Sequence, residues 1–65
     1  MTKEQEAMMV AAHKLGRAYA RKRNAYQAMA YEISVRLYSH NAEAREAYMA
    51  GYTQEAKRIL QVAKP

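Results

Sequence analysis

The sequence predicts an all-α protein with a long N-terminal amphipathic helix, about residues 3–38, followed by a short helical hairpin, about 42–50 and 54–63. Three observations support this fold class. Apolar residues recur at helical spacing from Met8 to Leu37. Fourteen of the 65 residues are alanine, the best helix former. Capping residues stand where each helix would begin, and the length allows one small domain over residues 1–65.

The first helix is expected to begin near Lys3. Thr2 is placed to act as N-cap, with Gln5 three residues later, which is the pattern of a capping box. One stripe about a third of the circumference wide contains Met8, Ala12, Leu15, Tyr19, Tyr26, Met29, Ala30, Ile33 and Leu37. Because the phase of this stripe persists to Leu37, it favours one unbroken helix about 54 Å long at ~1.5 Å per residue.

A break near Asn24 is the alternative. Asn24 can act as an N-cap with Gln27 at the third helical position, so a second helix could start there. That arrangement gives a compact three- to four-helix bundle. The uninterrupted helical spacing of the apolar stripe favours the unbroken helix, whereas the local capping signal favours a break near Asn24.

The C-terminal hairpin follows from its turn residues. Ser39-His40-Asn41 ends the first apolar pattern, and either Ser39 or Asn41 can cap residues 42–50. Gly51 stands where a left-handed residue often ends a helix, with Tyr52 placed to pack back on it. Thr53 then serves as N-cap for residues 54–63.

The run AREAYMAGYTQEAKRIL, residues 44–60, resembles the helix-turn-helix of bacterial and phage repressors. The matching residues are Ala47, Gly51, Thr53, Gln54 and Leu60. The sequence departs from the motif at Glu46 and Lys57, where apolar residues normally lock the two helices together. The resemblance implies a DNA-reading helix that starts with Gln54, Glu55, Lys57 and Arg58. An ordinary helical hairpin accounts for the same residues.

Positive charge is concentrated in one stretch, His13 to Asn24. The chain has a net charge of +5, and no acid occurs between Glu6 and Glu32. The basic residues of the stretch are Lys14, Arg17, Arg21, Lys22 and Arg23. An exposed helix stabilised by ion pairs would interleave opposite charges, which this stretch does not. We therefore expect these five residues to bind a polyanion, most simply the DNA or RNA backbone.

Other uses of the helix remain open. A small regulator or inhibitor could dock a Tyr- and Met-rich face on an acidic partner protein, and the candidate partner-facing residues are Met9, His13, Tyr31 and Tyr38. The basic run could also be a solvated helix face. A homodimer would cover apolar surface that the short hairpin cannot. Membrane attachment is disfavoured because the sequence lacks the Trp and Phe of interfacial helices.

The composition argues against an enzyme. The sequence has no Cys, no Asp and no glycine-rich phosphate loop, and its two histidines are far apart in sequence. We expect no cofactor and no metal. No apolar run approaches the ~20 residues that span a bilayer, and the absence of cysteine is typical of an intracellular protein, so a cytoplasmic location is expected.

Overall fold

The computed structural model describes residues 2–23 and 27–63, and for residues 23, 27, 28 and 63 it describes the main chain only. The helices are α1 (Lys3–Arg23), α2 (Gln27–Leu37) and α3 (Ala42–Ala63). All regular structure within these ranges is helical, which confirms the predicted all-α class. A four-helix arrangement is not supported, since the described ranges form three helices.

The unbroken helix over residues 3–38 is wrong. Gln5, in the first turns of α1, hydrogen-bonds through its side chain to Asn41 just before α3. In an unbroken helix Gln5 and Leu37 would be about 48 Å apart, whereas four residues of chain reach about 14 Å at most. The chain must therefore reverse between α1 and α2. The expected break at Asn24 lies outside the described residues.

The predicted hairpin over 42–50 and 54–63 is also wrong, because α3 runs without interruption through residues 51–53. The turn that a helix-turn-helix needs is therefore absent. Gly51 has a different use from the one its position suggested. A Cβ atom at Gly51 would overlap the carbonyl oxygen of His13 on α1, and a Cβ atom at Gly16 would overlap that of Tyr48 on α3. Both glycines allow two helix backbones to touch.

The contact between α1 and α3 forms the centre of the molecule. The two helices run parallel, since Gln5 contacts Asn41 near one end and Arg21 contacts Glu55 towards the other. Small residues line the α1 side of the contact, namely Ala12, Gly16 and Ala20, and all three are buried. Because these positions carry almost no side chain, α3 can approach closely and its large residues pack beside the contact.

Tyrosines supply most of the volume of the core. Tyr48 and Tyr52 of α3 are fully buried. The ring of Tyr19 lies 6.5 Å from that of Tyr48 and 5.9 Å from that of Tyr52, and Tyr38 lies 6.3 Å from Tyr48. These tilted arrangements are typical of aromatic pairs. Four tyrosines thus pack in the place that large aliphatic residues take in most small domains.

The apolar stripe was predicted only in part. Ala12 and Ala30 are fully buried, and Tyr19 and Ile33 pack against the core. Four other large members of the stripe stay 41–52% exposed, namely Met8, Leu15, Met29 and Leu37, and Tyr26 lies outside the described residues. The stripe assumes one continuous helix, whereas α3 packs on the neighbouring small-residue face of α1, at Ala12, Gly16 and Ala20.

Side-chain hydrogen bonds tie the start of α1 to the start of α3. The backbone N–H of Gln5 donates to Thr2 Oγ1 at 3.1 Å, which confirms Thr2 as the N-cap of α1. The Gln5 side chain does not return to Thr2 but pairs reciprocally with the Asn41 amide, both bonds measuring 2.9 Å. Asn41 in turn accepts from Ala44 N at 3.1 Å and so caps α3.

Arg45 fixes the turn between α2 and α3. Its Nη1 donates to the carbonyl oxygens of Tyr38 at 2.7 Å and Ser39 at 2.9 Å. Carbonyls at a helix end lack partners within the helix, so a guanidinium there satisfies them. α2 is therefore held against the first half of α3, with its Ser34 fully buried.

Candidate functional site: a basic seam between two helices

Four cations from two helices surround one open depression of about 640 Å³. Arg17 and Arg21 come from α1, and Lys57 and Arg58 come from α3. The amides of Gln54 and Gln61 and the carboxylate of Glu55 complete the lining. We call the four cations and the two amides the basic seam. The parallel packing of α1 and α3 creates it, because residues about 34–40 positions apart in sequence become neighbours.

Glu55 lies beneath the basic seam and is 5% exposed. Its Oε2 accepts from Arg21 Nη1 at 3.1 Å. Arg58 binds it through two donors, Nε to Oε1 at 2.8 Å and Nη2 to Oε2 at 3.0 Å. The hydrogen bonds from Arg58, followed by those from Arg21, lower the pKa of Glu55 to about 2, against the opposing effect of burial. The carboxylate therefore stays ionised and orients two guanidinium groups.

The basic seam keeps an excess of positive charge. Its four cations face one carboxylate, Glu55, which leaves a net +3 at this surface. The side chains of Arg21 and Arg58 remain 55% and 61% exposed although both bind Glu55. Each guanidinium has five N–H donors, so donors remain for an anion from solvent.

Arg17 contributes an unsatisfied donor. Its Nε is buried and has no hydrogen-bond partner among the described residues, while the residue as a whole is half-buried. A buried donor without an acceptor costs about 1–3 kcal/mol.

The structure divides the five residues predicted to bind a polyanion. Arg17 and Arg21 line the depression, whereas Lys14 and Lys22 do not. Lys14 is exposed on the same side of α1, three residues before Arg17, and so extends the positive surface along the helix. Lys22 is exposed towards another flank. The side chain of Arg23 lies outside the described residues.

The basic seam also contains residues that the sequence did not assign to the cluster on α1. The resemblance to the repressor motif implies Gln54, Lys57 and Arg58 at the start of a DNA-reading helix, and no sequence pattern points to Gln61. Their juxtaposition with Arg17 depends on the parallel packing of α1 and α3, which no local pattern reveals. The spacing of Glu55 and Arg58, three residues apart on a helix, was the one local signal of an ion pair here.

The four residues predicted to face a partner lie in different environments. Met9 and His13 are half-buried on α1. Tyr38 packs against Tyr48. Tyr31, by contrast, is 58% exposed on α2. Of these four, Tyr31 offers the most surface to a partner.

The buried tyrosines are not poised for acid–base chemistry. Burial, together with the neighbouring Tyr19, Tyr52 and Tyr38, raises the pKa of Tyr48 to about 12. Burial also raises the pKa of Tyr52, with a smaller effect from Tyr19. Both hydroxyls are buried and have no hydrogen-bond partner within residues 2–23 and 27–63. These side chains stay neutral at physiological pH and serve as core.

No group of three or more His, Cys, Asp or Glu side chains gathers in the described part of the chain. None of its three helices combines the length and the apolar content that crossing a bilayer requires. Comparison of the chain with protein-family models, curated proteins and solved structures finds no match.

Proposed function

We propose that this chain is a non-enzymatic module that binds the phosphate backbone of nucleic acid through the basic seam. One observation carries the proposal: Arg17 and Arg21 on one helix converge with Lys57 and Arg58 on another around a single open depression. The one carboxylate among them is buried and already paired, so it repels an approaching phosphate less than a free one would.

Binding would rest on charge and on hydrogen-bond donors. Guanidinium groups can meet phosphate oxygens with two parallel N–H bonds, and arginine outnumbers lysine three to one in the basic seam. Glu55 acts as a positioning residue, because it fixes Arg21 and Arg58 before an anion arrives. Pre-ordered side chains lose less entropy on binding.

Sequence preference is expected to be weak. Phosphate contacts set the position of a protein on nucleic acid, and contacts to base edges set its specificity. α3 lacks the turn that would present a separate reading helix to a groove. The basic seam therefore favours a backbone binder whose affinity falls steeply with salt.

The salt dependence of binding tests the proposal. In the variant Arg17→Ala, Lys57→Ala, each lost phosphate contact should flatten the slope of log affinity against log salt by about 0.7 to 0.9. Both substitutions leave Glu55 and its ion pairs intact. The matched control, Lys3→Ala with Lys22→Ala, removes the same charge outside the depression. Its slope should change less.

Two results would overturn the proposal. One is a wild-type protein that shows no salt-dependent binding to DNA or RNA at about 50 mM salt, where counterion release is strong. The other is an equal change of slope in the two double variants, since binding would then follow net charge rather than the basic seam. Either outcome would direct attention to an acidic protein partner.

A further inference from the structure

α2 presents an apolar pair flanked by opposite charges. Tyr31 and Val35 lie one turn apart and are 58% and 38% exposed. Glu32 and Arg36 follow each of them directly, and the four residues line one shallow depression. We call these four residues the α2 face. Exposed apolar groups framed by charges are typical of a binding surface.

The charges of α2 balance within the helix and form no ion pair in the part of the chain that the structure describes. α2 has one acid and one base, whereas α1 has six basic residues against two glutamates. Among the described residues, ion pairs join Glu55 to Arg21 and Arg58, and neither Glu32 nor Arg36 takes part in one. The α2 face is therefore an electrically neutral surface on a basic protein, with one charge of each sign available.

We infer that the α2 face binds a second copy of this chain, with the two α2 helices antiparallel about a twofold axis. The axis would pass near residues 33 and 34, midway between the members of each pair. Glu32 of each copy then lies opposite Arg36 of the other, and Tyr31 lies opposite Val35. An interface of this symmetry joins the same surface of both copies, so that surface must be complementary to itself. A face with one acid and one base four residues apart meets this requirement.

The surface extends beyond α2. Tyr31 also lines a groove of about 270 Å³ between α2 and α3, together with Ser34, Ala42, Arg45, Glu46 and Met49. A second copy seated on α2 would reach this groove. Stable interfaces bury roughly 1,200–2,000 Å² in total, so the groove supplies area that one short helix lacks.

The charge distribution favours a second copy over an acidic partner. A uniformly acidic surface would place negative charge against Glu32, whereas a second copy places Arg36 there. The positive α1 helices would also stay apart, because α1 and α2 contact different sides of α3: α1 meets Gly51, while α2 lies over Met49. Like-charge repulsion between the copies is thereby reduced.

Charge reversal on the α2 face tests this inference by sedimentation of the purified chain across micromolar to millimolar concentrations. The wild type should dimerise, and Glu32→Arg and Arg36→Glu should each sediment as monomers, because each places like charges opposite one another. Mixing the two variants in equal amounts should restore a dimer, since the Arg residues of one then face the Glu residues of the other. The double variant should also dimerise.

The control is Glu4→Arg, which changes net charge as Glu32→Arg does but lies on α1. It should dimerise like the wild type, with helix content checked for every variant by circular dichroism. A wild type that remains monomeric at millimolar concentration would overturn the inference. So would single variants that still dimerise, or a mixture that does not. None of these measurements involves nucleic acid, so their failure is separate from failure of the proposed function.

Discussion

Glu55 connects the packing of the helices with the proposed binding surface, since it is hydrogen-bonded to Arg21 of α1 and orients two arginines of the basic seam. Its pKa is lowered from 4.5 to about 2, foremost by hydrogen bonds from Arg58 and then from Arg21. A lowered pKa in the folded state means that the unfolded chain binds the proton more readily. Glu55 therefore contributes stability above pH 4.5, and this contribution is lost as the pH falls through about 2.

We expect the free energy of unfolding of the wild type to fall between pH 4.5 and 2 more steeply than that of Glu55→Gln. Urea titrations at intervals across this range measure the difference. Glu46→Gln removes a carboxylate from an exposed position of α3 and serves as the control. Equal pH dependence in the wild type and Glu55→Gln would contradict the ion-pair geometry.

Gly16 and Gly51 are expected to resist even a single methyl group. In an exposed helix, Gly→Ala stabilises by about 1 kcal/mol. Here the new Cβ would overlap a carbonyl oxygen of the facing helix, and backbone cannot move aside as a flexible side chain does. Overpacking of this kind costs about 1–3 kcal/mol. Each Gly→Ala variant should therefore lower the free energy of unfolding.

Thermal and urea unfolding of both glycine variants measures this effect. Ala18→Leu adds a larger side chain to the same helix at an exposed position, and it should be tolerated. A glycine variant as stable as the wild type would show that the two backbones are not in contact.

At the scale of elements, local signals predicted two helix starts correctly and a third wrongly, since Thr53, expected to cap residues 54–63, lies inside α3. Thr2 and Asn41 cap α1 and α3 as expected, because a cap depends on neighbouring residues alone. Gly51 was interpreted wrongly, since glycine serves equally at a helix end and at a close helix contact. Only the facing His13 carbonyl decides between these uses, and it belongs to another helix.

Substitution of Gln54 by proline distinguishes a continuous α3 from a hairpin, because the two structures tolerate proline differently at this position. In a hairpin capped by Thr53, Gln54 would be the first helical residue, where proline is favoured. In a continuous helix, proline removes a backbone hydrogen bond and clashes with the preceding turn, at a cost of about 3 kcal/mol. Gln54 is exposed, so loss of packing adds little.

We therefore expect Gln54→Pro to be strongly destabilised and Gln54→Ala to be close to the wild type in urea titrations. The alanine variant shows what removal of the glutamine side chain alone does. A proline variant with near wild-type stability would favour the hairpin.

At the scale of the molecule, the sequence predicts the two cations of the basic seam that lie on α1 but not the two on α3. Arg17 and Arg21 stood out because acids are absent around them in sequence. Lys57 and Arg58 did not, because their sequence neighbour Glu55 makes that stretch look balanced. Folding buries Glu55 and leaves its neighbours exposed, so the local charge balance of the sequence differs from that of the surface.

The basic seam and the α2 face together lead to a prediction about the whole assembly. The basic seam and the groove beside the α2 face lie on different sides of α3, since Arg58 borders the seam while Met49 lines the groove. A dimer formed through the α2 face would leave both seams open and carry one on each copy. If both proposals hold, the dimer should bridge two separate duplexes.

Energy transfer between two DNA duplexes, one carrying a donor and the other an acceptor dye, measures bridging. The wild type should raise the transfer signal at concentrations where it dimerises, and Glu32→Arg should not. An equal mixture of Glu32→Arg and Arg36→Glu should restore the signal, although neither variant gives it alone. Transfer that persists in a monomeric variant would show that charge neutralisation, not the dimer, brings the duplexes together. Absence of transfer in a wild-type dimer that binds DNA would mean that both seams engage the same duplex.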